Sequence, residues 1–403
     1  MLMDIITTEQ AEKIVQSQTR DYGTETIPYE SALGNVLAEN LFADRDLPAF
    51  NRATVDGIAI DYAGYDDGLQ SFRIKAIQAA GEIPAAISAK DECIEIMTGA
   101  ALHTSVDTVI RYEDMLIADG MATINIRDIK KGQNIHLRGK DKREGDLVAD
   151  ANRIISSALT GLAASIGKVN LLVKKLPRVV IITTGDEMVS AEETPAPYQL
   201  RRSNSVVIKS VLEKYNIQAD RLHVKDDYET IKNEISRCLQ TYDVLLMCGG
   251  VSMGKFDYVP QALEDTGVKK LFHKVKQRPG KPFWFGTYES GSLIFAFPGN
   301  PVSVFLCLHR YFMPWLETSL GIKPSSPGFA MLQSDILFPY PLQYFVQVKL
   351  SINHRGQCLA EPVESNGSGD FSNLIYTDAF MELPMDKGEF RKGEVYKVWR
   401  YYF

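Results

Sequence analysis

The sequence has no long apolar run and few of the residues that mark metal centres or oxidised proteins. No stretch of about 18 apolar residues occurs in the 403-residue chain, which argues against a membrane-spanning helix. The five cysteines are scattered without CxxC spacing, a usage typical of reduced thiols in the cytosol. The N-terminus, MLMDIITTEQ, lacks the pattern of a signal peptide. We therefore expect a cytoplasmic protein with no membrane partner.

Short motifs of several functional classes are also missing. The six histidines show neither HExxH nor zinc-ligand spacing, and no GxSxG occurs. A zinc centre and an activated serine are therefore poorly supported. The net charge of −7 argues against a nucleic-acid partner. With 45% hydrophobic and 24% charged residues, the composition is that of an ordinary globular protein of several domains.

The pattern of apolar residues changes along the chain and predicts a multidomain α/β plus β protein. We expect a discontinuous N-terminal helical and linker domain over 1–45 and 140–176, with an inserted β domain over 46–139. Alternating strands and helices over 177–322 predict a central, doubly wound α/β domain. The β pattern returns over 323–403, where we expect a small barrel or sandwich.

Local signals mark helices outside the α/β segment. Thr7 and Gln10 fit a capping box at the start of a helix over Thr7–Ser17. Apolar residues at helical spacing predict a second helix over Tyr29–Leu41. Small residues suited to close packing predict a third over Ser156–Ile166.

Four loops at the exits of predicted strands carry carboxylates or glycines: TTGDE, the pair Asp226-Asp227, GGVSMGKFD and PGNPVS. One acidic loop is often only a helix cap, but several at the carboxyl ends of strands in one sheet converge on a single crevice. Grouped carboxylates suit a hard cation such as Mg²⁺. Paired glycines, and a helix beginning near Pro301, suit a phosphate or another oxyanion.

Two stretches combine glycine with basic residues. Residues 249–255, GGVSMGK, have the spacing of a P-loop, but Phe256 stands where a P-loop needs serine or threonine, which argues against a P-loop NTPase. The run Lys269–Lys281 is basic, and strand alternation places Lys274, Lys276 and Arg278 on one face. This run predicts either a second anion contact or a charged edge strand.

Taken together, the loops resemble a known family. TTGDE, GGVSMGKFDY, RPGKPFWFG and PGNPVS, in that order, are similar to the motifs of the molybdopterin molybdenumtransferase family, which includes the MoeA proteins and the E domain of gephyrin. Upstream, ATVDGIAI, MTGA and LRGKD resemble its N-terminal motifs. The resemblance covers essentially the whole chain.

The resemblance implies an elongated homodimer of four-domain subunits, with the active site in a cleft between the α/β domain of one subunit and N-terminal elements of the other. It implies that adenylylated molybdopterin and molybdate are converted to molybdenum cofactor and AMP with Mg²⁺ or a similar divalent cation. The expected partners are a molybdopterin adenylyltransferase and molybdoenzymes that accept the cofactor. Two alternatives remain: adenylyl transfer to molybdopterin, and a non-catalytic scaffold such as the gephyrin relative.

Carried over by position, the resemblance also implies the site residues. The catalytic residues are Asp56, Asp141, Glu187, Asp227 and Asp257. The metal ligands are Asp186, Glu187, Asp227 and Asp257. The substrate-binding residues are Thr98, Gly249, Gly250, Ser252, Lys274, Lys276, Arg278, Lys281, Pro298, Gly299, Asn300, Pro301 and Ser368. The N-terminal residues are expected to reach the partner's site.

Three positions depart from the family pattern. Arg278 replaces the first lysine of the family's KPGK, which keeps the charge but changes the geometry of its contacts. Ile58 stands where the family has an aromatic residue. In FVQVKL, Gln347 or Lys349 occupies the position of the family's C-terminal arginine.

Overall fold

The structure is a computed structural model that describes residues 5–251, 257–324 and 327–401. The predicted substrate contact Ser252 and the P-loop-like Lys255 and Phe256 lie outside the described residues. Within those ranges, no helix is long and apolar enough to cross a membrane.

The chain forms two compact units. The larger unit comprises Met1–Ala38, Asn152–Ser156 and Leu171–Phe403. The smaller unit comprises Glu39–Ala151 and Ser157–Asn170.

The larger unit is built on a six-stranded sheet. In spatial order its strands are Asp220–Val224, Val179–Thr184, Val244–Cys248, Leu293–Phe297, Trp284–Thr287 and Lys269–His273. The first four are parallel, and the last two are added by antiparallel pairing. The chain order reverses between Val179–Thr184 and Val244–Cys248, so the crevice at a switch point lies past the carboxyl ends of these two strands.

Helices cover both faces of this sheet, because alternate side chains of each strand point to opposite faces. Ile181 and Leu246 belong to one buried cluster, and Ile182 and Met247 belong to another. The first cluster includes the helices Thr8–Gln16, Asn204–Glu213, Pro301–Cys307 and Met313–Ser319, with the π-helical turn Leu308–Phe312. The second includes the helices Tyr228–Thr241 and Val259–Asp265. The prediction of a doubly wound α/β domain is confirmed.

A small closed barrel follows in the same unit, as predicted. Its strands are Gly328–Leu332, Gln343–Ile352, Cys358–Pro362, Ala379–Leu383 and Val395–Arg400. Gln343–Ile352 pairs with Cys358–Pro362 on one side and with Ala379–Leu383 on the other. The short strand Gln277–Arg278 also pairs with Gln343–Ile352, which ties the α/β segment to the barrel.

Short elements complete the larger unit. Its remaining strands are Thr24–Pro28, Asn170–Lys174, Met188–Val189, Leu200–Arg201, Ile336–Leu337 and Glu389–Phe390. Its 3₁₀ turns are Tyr29–Ser31 and Ser372–Tyr376.

The smaller unit contains the predicted β insertion. Its six-stranded sheet has the spatial order Thr108–Arg111, Gly57–Ile60, Glu92–Ile96, Ser71–Gln78, Met121–Ile124 and Met115–Ala118. The further elements are the strands Leu41–Phe42, Arg52–Ala53, Ile135–His136 and Leu147–Ala149, the helices Tyr62–Asp66 and Ser157–Ser165, and the 3₁₀ turn Tyr112–Asp114. Ile58, Phe72 and Ile110 are fully buried between these elements.

Two of the three local helix predictions are confirmed. The first helix has the predicted capping box, and Ser157–Ser165 matches the third. The predicted helix over Tyr29–Leu41 is wrong. Gly34 adopts a φ of +82°, and the N–H of Leu37 donates to the Arg153 carbonyl rather than to a residue four positions earlier. Tertiary pairing therefore overrides the helical spacing in this segment.

Candidate functional site

A cavity of about 540 Å³ lies in the larger unit, past the carboxyl ends of the central strands. Its lining includes three carboxylates (Glu187, Asp226, Asp257), paired glycines (Gly249, Gly250), two cations (Arg278, Lys281) and the loop Pro298, Gly299 and Asn300 with Ser303 and Ser368. The strand exits therefore do converge. Of the predicted residues of this unit that the structure describes, the lining leaves out Asp186, Asp227, Lys274, Lys276 and Pro301.

One wall of this pocket is acidic, and we name its carboxylates Asp186, Glu187, Asp226 and Asp257 the acidic wall. Asp186 is not among the lining residues, but its carboxylate accepts a hydrogen bond from the Asp226 N–H, with an N–O distance of 3.2 Å. Partial burial, together with the charges of the other three carboxylates, raises the pKa of Asp226 above its ordinary value. Neighbouring like charges disfavour ionisation, so a bound cation would stabilise the ionised form of these carboxylates.

Asp226 lines the pocket, whereas its neighbour Asp227, which is the predicted site residue, does not. The Asp227 carboxylate caps the helix Tyr228–Thr241 and accepts from the Thr230 hydroxyl at 2.6 Å and from the Thr230 N–H at 2.9 Å. These bonds lower the pKa of Asp227. A signal was available, since the last residue before a helix is usually its cap, which leaves the preceding aspartate for the site.

The floor of the pocket requires glycine. Gly249 and Gly250 have φ of +94° and +65°, a conformation that residues with a side chain rarely adopt. A Cβ atom on Gly250 would lie 2.8 Å from Val259 Cγ2 and 3.0 Å from Thr184 Oγ1. The Thr184 hydroxyl is buried without a hydrogen-bond partner among the residues that the structure describes. It forms part of the lining.

Another part of the lining is residues 278–281, which we name the basic loop. Arg278 and Lys281 line the pocket. The predicted placement of Lys274, Lys276 and Arg278 on one strand face is wrong. The strand Lys269–His273 ends before them, and Lys274 has a φ of +82°.

The loop Pro298–Asn300 is tied to its surroundings by two amide side chains. Asn204 Nδ2 donates to the Gly299 carbonyl at 2.7 Å. Asn300 Nδ2 donates to Ser368 Oγ, also at 2.7 Å. Pro301 begins the helix Pro301–Cys307, as predicted. The bond from Asn300 holds Ser368 at the pocket, although the two residues are 68 positions apart in the sequence.

The remaining predicted residues belong to the smaller unit. Asp56 Oδ1 accepts from the Thr98 N–H at 2.6 Å and from the Thr98 hydroxyl at 2.8 Å. These two bonds lower the pKa of Asp56. Asp141 Oδ1 lies 2.9 Å from His136 Nε2. The unit thus brings Asp56 and Thr98 together, whereas Asp141 forms a separate pair.

Across the described ranges, no three histidine, cysteine or carboxylate side chains are close enough together to hold an ion. The acidic wall nevertheless supplies the oxygen donors that Mg²⁺ prefers.

Three family models match the chain in succession. They are the MoeA N-terminal region (domains I and II) over 6–167, a probable molybdopterin binding domain over 180–318, and the MoeA C-terminal region (domain IV) over 330–401.

Whole-length relatives agree with these matches. A molybdopterin molybdenumtransferase of Synechocystis is 36% identical over 97% of this chain and 99% of its own. One from Staphylococcus epidermidis is 28% identical over 98% and 95%. A crystal structure of the molybdopterin biosynthesis MoeA protein from Pyrococcus horikosii superposes with a TM-score of 0.82 at 26% identity, covering 98% of this chain and 99% of that one. The chain belongs to the MoeA family of molybdopterin molybdenumtransferases.

Proposed function

We propose that this protein inserts molybdate into adenylylated molybdopterin and releases AMP, giving molybdenum cofactor. The observation that carries the proposal is one pocket whose lining combines carboxylates, paired glycines and the two cations of the basic loop. Such a pocket offers separate places for a divalent cation and for the oxygens of phosphate and molybdate.

The acidic wall offers Mg²⁺ one or two carboxylates at a time, and the phosphate oxygens of the substrate would complete its ligands, because no three of the described side chains lie close enough together to hold the ion alone. The wall's donors are carboxylate oxygens, and burial together with the charges of the other three carboxylates raises the pKa of Asp226, which supports a bound cation at this wall. We assign the ion to Asp186, Glu187, Asp226 and Asp257. Asp226 takes the place predicted for Asp227, whose carboxylate is committed to its helix. Bound there, Mg²⁺ would neutralise charge on the pyrophosphate and favour departure of AMP.

The glycine floor and the basic loop bind the substrates' anionic groups in this proposal. Backbone N–H groups near Gly249, Gly250 and Gly299 approach phosphate closely because no Cβ atom intervenes. Lys281 and Arg278 bind molybdate or phosphate oxygens, and Arg278 offers a planar fork suited to two oxygens at once. In this proposal, Lys274 and Lys276 make no direct contact with the substrates.

We further propose a homodimer in which Asp56, Thr98 and Asp141 serve the site of the partner subunit. The lowered pKa of Asp56 keeps it ionised and able to accept hydrogen bonds at neutral pH. We place the enzyme in the cytoplasm, between a molybdopterin adenylyltransferase that supplies its substrate and molybdoenzymes that accept its product.

The direct test is an assay of the purified chain with adenylylated molybdopterin, molybdate and Mg²⁺. We expect release of AMP that depends on molybdate and Mg²⁺. A parallel assay offers ATP and molybdopterin. ATP-dependent adenylylation without molybdate-dependent AMP release would favour the adenylyltransferase alternative, and failure to bind either pterin would favour a scaffold.

A further inference from the structure

A fully buried glutamine lies beneath the basic loop. Gln277 is buried, although it directly precedes Arg278 and belongs to the pocket lining. Its Nε2 donates to the Gly280 carbonyl at 3.1 Å, and its Oε1 accepts from the Tyr311 hydroxyl. A buried polar group left unpaired is costly, whereas a fully paired network is rigid. The side chain therefore holds the loop from the inside.

Packing around Gly280 leaves the loop no room to shift towards the core. Gly280 has a φ of +84°. A Cβ atom there would lie 2.8 Å from Gln277 Nε2 and 2.9 Å from Cys307 Sγ. Tyr311 belongs to the π-helical turn Leu308–Phe312, an irregularity found often near functional sites.

The bond to Gly280 is not needed to close the loop. The Val275 N–H already donates to the Lys281 carbonyl at 2.9 Å, which fixes the base. The bond from Gln277 acts at the tip, between the two cations that line the pocket. An apolar side chain of equal size would fill the core but would release this tip.

We propose that Gln277, held by Tyr311, is a positioning residue that fixes Arg278 and Lys281 for oxyanion binding. The inference rests on the proposed function, in which these cations bind molybdate or phosphate oxygens. Gln277 acts through the loop, so replacing Gln277 should weaken binding of the anion more than it slows the chemical step. Small displacements of a binding group cost affinity because several contacts must form together.

The test compares Gln277→Met, which is close in size and apolar, with the wild-type enzyme. We expect the KM for molybdate to rise about tenfold while kcat changes less than about twofold, the pattern of lost uniform binding. Tyr311→Phe keeps the bond to Gly280 and should raise KM by only about threefold. If turnover is too slow to measure, equilibrium dialysis of the full-length protein with molybdate gives the same comparison as dissociation constants.

Tyr215→Phe is the matched control. Tyr215 is buried, and its hydroxyl donates to Glu317 Oε1 at 2.7 Å, away from the basic loop. This variant should lose stability but keep the wild-type KM. An equal rise of KM in Tyr215→Phe and Gln277→Met would overturn the inference, because general loosening would then explain both.

Lys281→Ala separates this inference from the proposed function. If Lys281→Ala raises KM and Gln277→Met does not, positioning by Gln277 is overturned while the anion site stands. If Lys281→Ala leaves KM unchanged, the anion assignment itself fails and the inference fails with it.

Discussion

The two walls of the pocket are built in different ways. In the acidic wall, Asp186, Glu187 and Asp226 lie just past the ends of the strands Val179–Thr184 and Asp220–Val224, and Asp257 lies just before the helix Val259–Asp265. The basic loop follows an interrupted strand, and a glutamine and a tyrosine 34 residues apart hold it from within the core. Acidic residues next to regular elements can therefore be located from the sequence. The position of the basic loop, in contrast, depends on buried contacts between distant parts of the chain.

The largest expected effect comes from the floor that joins the two walls. Gly250→Ala would bring a Cβ atom to 2.8 Å from Val259 Cγ2 at a φ of +65°. We expect about a 100-fold loss of kcat/KM, because a displacement of about 1 Å suffices for that. Strain of this kind costs about 1–3 kcal/mol of stability. AMP release and urea unfolding measure the two effects.

Gly267→Ala is the control for the backbone strain alone. Gly267 has a φ of +84°, but its nearest neighbour to a new Cβ atom is Tyr288 Cε2 at 3.7 Å. Comparable destabilisation with normal activity is expected there. Equal losses of activity in the two variants would contradict a special role for the glycine floor.

A smaller effect is expected at the basic loop. Lys281→Ala should raise the KM for molybdate about tenfold, since it removes one charge-assisted contact with the anion. Lys269→Ala removes an exposed lysine of the strand Lys269–His273, outside the pocket lining, and should change KM little. Steady-state titration of molybdate distinguishes the two variants.

The smallest effect concerns the acidic wall without its ion. Because the pKa of Asp226 is raised, the folded protein binds its proton more tightly than the unfolded chain does. Protonation of Asp226 therefore stabilises the folded state. This contribution is fully present below the ordinary aspartate pKa and is lost as the pH rises through the raised pKa. Without divalent ions, we expect Asp226→Asn to melt higher than wild type at pH 7 but not at pH 3.5. Added Mg²⁺ should stabilise wild type and leave the variant nearly unchanged. Thermal melts at both pH values check this.

Much of the fold could be predicted because its elements carry local signals. The runs VVIITT and VLLMC end at glycine loops, which identifies buried strands and their exits. The first helix has its own capping box. Tyr29–Leu41 had helical spacing without such a cap, and its backbone bonds go to distant residues such as Arg153 and Leu172. Periodicity alone does not reveal those partners.

The site was predictable to the level of its loops but not of each side chain. An aspartate pair offers two candidates, and only the capping geometry of Asp227 separates them. In the sequence, Gln277 stands in a basic run and Tyr311 in a separate helical segment, with no spacing that links them. Their pairing becomes visible only when the π-helical turn packs under the basic loop.

The most direct test of the account compares Asp226→Asn with Asp227→Asn in Mg²⁺-dependent release of AMP. Asparagine caps a helix about as well as aspartate does, so Asp227→Asn should keep near-normal activity. Asp226→Asn removes a charge from the acidic wall and should lower kcat by about 100-fold and raise the Mg²⁺ concentration needed for half-maximal rate. The reverse result, a normal Asp226→Asn and an inactive Asp227→Asn, would contradict the assignment of the acidic wall.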